Sequence, residues 1–181
     1  MGLHPAKVEA LALAVGLIIW PAFLTAACCT AKVIFVLGGW RGGKSARIAF
    51  ILLCRIIFVW MHREGTHLFW ILGPDYEQAR PEYFYLSQWC SKLGMQVTAS
   101  AAIQGSLRME IVVPGMPGRI EVVTKSATDP TSLGSVAPVV IAMCEAGQIS
   151  EESDLWIDGR TAEKNADVIK GGTFENDDGK A

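Results

Sequence analysis

The sequence predicts an α/β fold built on a mostly parallel central sheet with helices on both faces. Three observations lead there. Short apolar runs recur at Val33–Leu37, which is rich in β-branched residues, Leu68–Leu72 and Val139–Met143, and runs without polar alternation mark strands buried on both faces. Stretches with helical spacing separate these runs, the pattern expected of parallel strands joined by crossovers. Hydrophobic residues make up 51% of the 181 residues and charged residues 19%, which excludes a disordered chain and, at this length, supports one core rather than two.

Residues 1–32 form an apolar N-terminal segment that reads as a buried helix. No charged residue occurs from Ala10 to Ala31, so the run is also about as long as the roughly 20 residues that a membrane-spanning helix needs. Lys7, the apolar run and "TAACC" resemble an export signal as well, although Pro21 interrupts it. A strand follows at Val33 almost at once, which favours the buried helix; no stable membrane association is expected, with insertion through residues 10–31 as the competing reading.

Val33–Leu37 is expected to be a fully buried parallel strand. Ser45 to Trp60 reads as a helix apolar all round except for Arg47 and Arg55, hence one packed between the sheet and other elements. After the strand at Leu68–Leu72, Asp75 with Gln78 three residues on offers a helix cap, and Ala79, Tyr83, Leu86, Cys90 and Leu93 form a core stripe ending before Gly94. Pro81 starts or kinks that helix. Leu107–Val113 and Arg119–Thr124 flank "PGMPG" as a hairpin. A polar loop, the strand Val139–Met143, a short helix from Ser150, a second from about Thr161 and a last strand near Val168 complete the reading.

The chemistry concentrates at two of these strand ends. The five cysteines lack CxxC spacing and the three histidines lack HExxH spacing, so neither a disulfide framework nor a zinc site is indicated. The net charge is −2, with basic residues in excess before Glu145 and an acidic tail after it; no basic run marks a stand-alone nucleic-acid binder. Gly38, four residues, then Gly43-Lys44-Ser45 fits the phosphate-cradling P-loop, with a strand before it and a helix after it. In such a loop glycines let backbone N–H groups converge on phosphates and the helix N-terminus adds its positive end. Gly38, Gly39, Trp40, Arg41, Gly42, Gly43, Lys44 and Ser45 are therefore the candidate ATP-binding residues. Lys44 would reach the β and γ phosphates, and the Ser45 hydroxyl would ligate Mg²⁺. Arg41 either touches the γ phosphate or is an exposed loop arginine; Trp40 is a packing residue or a platform beside the nucleotide. Glu145, closing an apolar strand, is placed to orient the attacking water, which makes this a P-loop NTPase fold of the catalytic-glutamate type. Its alternative is an ordinary strand-end acid. Just before it, where a magnesium-site acid is usual, stands Cys144.

"GGWRGGKS", "FWILGPDYEQARPE", "KSATDPTSLGS", "CEAGQ" and "GRTAEKNADVIKGGTFEN", in that order, resemble the ATPase half of a tailed-phage terminase large subunit, from about Val33 to the end. The resemblance implies a P-loop ATPase domain over residues 33–181 that hydrolyses ATP to power viral DNA packaging in the host cytoplasm. It implies double-stranded DNA, a portal protein and a terminase small subunit as partners, and a homo-oligomeric ring in which a neighbour's arginine completes the site, with Arg80, Arg108 and Arg119 as candidate donors. It carries ATP binding onto Gly38, Gly43, Lys44 and Ser45, water activation onto Glu145, and coupling of hydrolysis to DNA movement onto Gly172 and Thr173. The family's nuclease domain is absent from residues 1–181, so no nuclease activity is expected. Cys144 departs from the family pattern. Two other readings stand beside this one: a nucleotide-binding remnant or interaction module with little turnover, and a membrane-anchored P-loop protein.

Overall fold

The computed structural model describes residues 2–38, 42–101, 105–129 and 133–173. In chain order the elements are α1 (Pro5–Val15), α2 (Pro21–Cys28), β1 (Val33–Leu37), α3 (Lys44–Arg55) running into a π-helical turn (Ile56–Trp60), β2 (Gly65–Gly73), α4 (Arg80–Lys92), β3 (Gln96–Ala101), β4 (Leu107–Val112), β5 (Gly118–Ser126), β6 (Val140–Met143), α5 (Glu151–Lys164) and β7 (Asp167–Gly172). The strands form one sheet in the order β1-β7-β6-β2-β5-β4-β3. Its pairings from β1 across to β5 are parallel, and the two that add β4 and β3 are antiparallel. The expected mostly parallel sheet with helices on both faces is what the chain builds.

Strand periodicity sorts the core into two layers. Ile34, Val36, Phe69, Ile71, Val140, Ala142 and Ile169 face one side, against α3, α4 and the N-terminal helices. Trp70, Leu72, Ile141, Met143 and Val168 face the other, against Ile157 of α5 and Leu133. Helix α3 fits closely over β7 because position 171 has no side chain: a Cβ there would collide with Ile48 Cδ1 and come within 3.3 Å of the Met143 carbonyl oxygen.

Several expectations change. The N-terminal segment forms two short helices, because Gly16 takes a left-handed cap conformation (φ 83°) and Pro21 opens the second. Val8, Leu11, Ala12, Val15, Phe23 and Ala27 pack into the first core layer. No helix among the described residues is long and apolar enough to cross a membrane. The strand at Val33–Leu37 is not fully buried: it lies at the sheet edge with Val33, Phe35 and Leu37 exposed. These residues share a face with Val168, the face covered by α5, and α5 does not extend over them. The Asp75 carboxylate accepts from the Gln78 backbone N–H at 2.8 Å, but this closes a turn, and α4 begins only at Arg80 with Pro81 in its first turn. A single helix, α5, replaces the two expected after Ser150. The Ser150 side chain caps it, Gly159 sits inside it, and Asn165 ends it in the left-handed region.

Buried arginine Arg55 joins the N-terminal helices to the sheet. Its Nη2 donates to the Cys29 carbonyl at 2.6 Å, and its Nε lies 3.8 Å from the Asp167 carboxylate, which also pairs with Lys32 at 2.9 Å.

Two outcomes follow from this packing. Gly171→Ala is expected to destabilise the fold by about 1–3 kcal/mol, as overpacking does, and Ile48→Val to relieve part of that loss, both read by urea unfolding. Burial pushes the thiols of Cys54 and Cys90 up, the latter to about 12, so at pH 8 alkylation of the native protein should mark Cys29 and leave Cys54 and Cys90 unmodified until denaturant is added, as peptide mass spectrometry would show.

Candidate functional site

The C-terminal ends of β1, β7 and β6 lie together because of their register. Leu37 is opposite Gly172, and Met143 is opposite Lys170. The Gly38 N–H donates to the Gly172 carbonyl at 3.3 Å, which ties the start of the glycine loop to the end of β7. Gly43 then takes a left-handed conformation (φ 70°) as the N-cap of α3, a geometry glycine adopts without steric cost. The first two helical residues are Lys44 and Ser45, so both side chains start at the positive end of the helix.

Lys44 occupies the centre of a polar network and is largely buried. Its Nζ donates to the Thr173 hydroxyl at 2.8 Å and to the Gly38 carbonyl at 3.4 Å, and lies 3.5 Å from Glu145 Oε1. The Thr173 hydroxyl in turn donates to Glu145 Oε2 at 3.2 Å. Glu145 follows β6 with φ 50° and ψ 53°; a left-handed non-glycine residue of this kind costs on the order of 1 kcal/mol or more and clusters at functional positions. A cleft of about 350 Å³ opens beside the network, lined by Gly42 to Ala46, by Pro81 and Tyr85 of α4, and by Glu145.

The predicted residues Gly38, Gly42, Gly43, Lys44, Ser45, Glu145, Gly172 and Thr173 thus converge at one end of the sheet. Gly39, Trp40 and Arg41 lie outside the described residues. Of the arginines considered as donors to a neighbouring subunit, Arg80 pairs with Glu77 beside the cleft-lining Pro81, whereas Arg108 and Arg119 pair with Glu121 and Glu110 on β5 and β4.

One residue the sequence reading did not single out belongs here. Glu82, in the first turn of α4, is 2% exposed, and the Ser45 hydroxyl and the Cys144 thiol lie near enough to act on its carboxyl. Its Oε2 has no hydrogen-bond partner. Burial raises its pKa above the usual carboxylate range, and the Ser45 contact opposes that shift. Cys144 is fully enclosed; burial first, then the Glu82 carboxylate, hold its thiol neutral well above the ordinary cysteine range. In sequence Glu82 lies one position outside the stripe that includes Tyr83, and nothing there singles it out. Only its placement under α3 distinguishes it.

Among the described residues no three His, Cys, Asp or Glu side chains cluster as a metal site. A hydroxyl and a buried carboxylate with an unused oxygen nonetheless suit Mg²⁺, which takes oxygen ligands, retains water and relies on substrate phosphates for the rest.

No family model and no curated protein matches the sequence. Solved structures do. The large terminase ATPase domain of Thermus phage P74-26 superposes with a TM-score of 0.70 at 16% identity, over 93% of this chain and 70% of that domain; a point variant of the same domain gives 0.72 at 18% over the same shares. The chain has the fold of a phage large-terminase ATPase domain. The large terminase of a thermophilic bacteriophage gives 0.65 at 15% identity, over 79% of this chain and 34% of that one, so the present residues span about a third of that terminase. The same phage terminase has been solved in complex with ATP-gamma-S, and that structure matches at 0.60 and 13% identity, over 77% of this chain and 32% of that one.

Within this terminase-type fold, Thr173→Val should cost about 0.5–1.5 kcal/mol in chemical denaturation, the net worth of a hydrogen bond, because it removes the group that joins Lys44 to Glu145.

Proposed function

We propose that the chain is a Mg²⁺-dependent ATPase that drives viral DNA packaging as the ATPase part of a terminase large subunit, with residues 33–181 as the ATPase unit. The observation that carries this reading is the convergence of Lys44, Ser45, Thr173 and Glu145 beside one cleft at the ends of parallel strands, where α/β folds bind ligands. The terminase-type fold supports it, as does the ATP-gamma-S complex of a phage terminase with that fold.

In this reading the Gly38–Ser45 loop wraps the triphosphate, Lys44 offsets charge on the β and γ phosphates, and the N-terminus of α3 adds its dipole. Arg41, read from sequence as either a γ-phosphate contact or an exposed loop arginine, would take the first role. The Ser45 hydroxyl would hold Mg²⁺, which would supply further neutralisation of the phosphate oxygens. Glu145 accepts a proton from water as the water oxygen bonds to the γ phosphorus; the bond from phosphorus to the β-γ bridging oxygen breaks, leaving ADP and inorganic phosphate. Lys44 is paired with Glu145 in the structure, so a γ phosphate would compete for the ammonium and release the carboxylate toward water. Thr173 touches both partners. Gly172 and Thr173 are therefore the residues at which a change in phosphate occupancy would reach strand β7, and through it the double-stranded DNA. A ring of copies, a portal protein, a small subunit and the host cytoplasm complete the proposed setting, and no nuclease activity is assigned to these residues.

Single-turnover hydrolysis of Mg-ATP, with and without double-stranded DNA, tests the reading. Lys44→Ala should lose nucleotide binding, and Glu145→Ala should bind as wild type while turnover falls roughly 10²–10⁴-fold, the range for a general base. Equal turnover by Glu145→Ala and wild type would remove Glu145 from the role. ATP binding without any Lys44-dependent turnover would favour a nucleotide-binding remnant.

A further inference from the structure

Glu82 poses a problem of charge balance. A carboxylate that is 2% exposed and makes no ion pair among the described residues has lost most of its hydration, and its Oε2 has gained no donor in exchange. Such a group is costly unless something else completes it. Lys44 is engaged by Glu145 and Thr173. Glu145 adds a second negative charge that acts on Glu82. Among the described residues, two carboxylates and one lysine therefore meet at this end of the sheet, and a bound triphosphate would add further negative charge.

The neighbours of Glu82 indicate what would balance it. One is the hydroxyl of Ser45, the first helical hydroxyl after the glycine loop; the other is the thiol of Cys144 at the end of β6. Magnesium takes hard oxygen ligands and usually one or two carboxylates with the substrate phosphates, whereas a neutral thiol is a soft, weak ligand that cannot substitute for an acid. Position 144 therefore supplies no oxygen. Glu82 brings one to the same place from helix α4.

We propose that Glu82 is the acidic anchor of the magnesium site, holding the ion or its water shell beside Ser45 from helix α4 in place of an acid at position 144. The proposal rests on the reading of the cleft as a Mg-ATP site. It assigns Glu82 to metal binding, and separates it from Glu145, which acts on water. It also accounts for the neutral thiol beside it: a second acid at 144 would place two carboxylates in one buried space, where they repel.

The test measures metal and nucleotide binding rather than turnover. ATP-γ-S affinity is determined by calorimetry with EDTA and with millimolar Mg²⁺, and bound Mn²⁺ is counted by electron paramagnetic resonance, for wild type, Glu82→Gln, Lys44→Ala and the double variant Glu82→Gln/Cys144→Asp. Wild type should gain affinity with metal. Glu82→Gln should keep its metal-free affinity and lose roughly 10- to 100-fold in Mn²⁺ affinity, the scale for losing a group that holds or orients a metal ligand, and Cys144→Asp should restore it in the double variant. Unchanged metal-linked affinity in Glu82→Gln overturns the proposal, and so does an equal loss of affinity with and without metal, which marks a structural role. Equally weak binding by wild type and Lys44→Ala, with or without metal, would instead overturn the Mg-ATP reading itself. Glu82→Gln removes a buried unpaired charge and should melt no lower than wild type without metal. Should it fail to fold, Glu82→Asp, which keeps the charge but withdraws it by one methylene, is measured in the same way, and unchanged metal-linked affinity there also overturns the proposal.

Discussion

The register between β1, β7 and β6 is the constraint on which the rest of the site depends. Parallel pairing of Leu37 with Gly172 and of Met143 with Lys170 brings three chain segments, the first more than a hundred residues before the other two, to a common edge. A one-residue slip of β7 would turn its core residues to the opposite face and carry Thr173 away from Lys44. That register is held by side-chain size as much as by backbone hydrogen bonds: Ile48 of α3 rests on β7 where Gly171 leaves room for it. The helix that presents Lys44 and the strand that presents Thr173 are therefore fixed to one another before any side chain of the site is considered.

Electrostatics then sets the character of the cleft. A lysine at a helix N-terminus is unfavourably placed with respect to the helix dipole, and the two side chains that hold it, Thr173 and Glu145, follow different strands. The helix N-terminus and the ammonium together make a site for anionic oxygen. Glu145 pairs with that ammonium, and the buried Glu82 adds a second negative charge nearby. A site that combines an ammonium and a helix N-terminus with two carboxylates suits a triphosphate carrying a cation better than either species alone.

The glycine loop, its strand and helix and the acid after β6 were legible in sequence because each sits at a boundary where an apolar run meets residues with distinct local chemistry, whereas the threonine after β7 was reached only through the family resemblance. Glu82 was not legible, since a single acid in the first turn of a helix is ordinary and only the packing of α4 beneath α3 buries it. Strand β3 escaped for a related reason: "QVTASA" alternates, but its apolar positions are one valine and two alanines, a weak hydrophobic signal, and its place beside β4 comes from hairpin pairing. The edge position of β1 was hidden as well. "VIFVL" is apolar on both faces, a pattern that normally marks a central strand, and sequence pattern cannot register that one of those faces lies beyond the reach of α5. The two short N-terminal helices show the opposite case, in which Gly16 and Pro21 were visible but the uninterrupted hydrophobicity around them outweighed their signal.

Strand β7 is held at both ends. At its start, Asp167 meets Lys32 and Arg55, and Arg55 is itself anchored to the carbonyl of Cys29; near its finish, Gly171 lies under Ile48. Both clamps come largely from α3, which at about 1.5 Å per residue runs roughly the length of the strand. Strand and helix so fastened behave as a single stiff beam, and a beam pinned at two points cannot tilt or slide without breaking a buried contact. Gly172 and Thr173 lie past the second pin, so a displacement that starts at the cleft meets strand β7 there first.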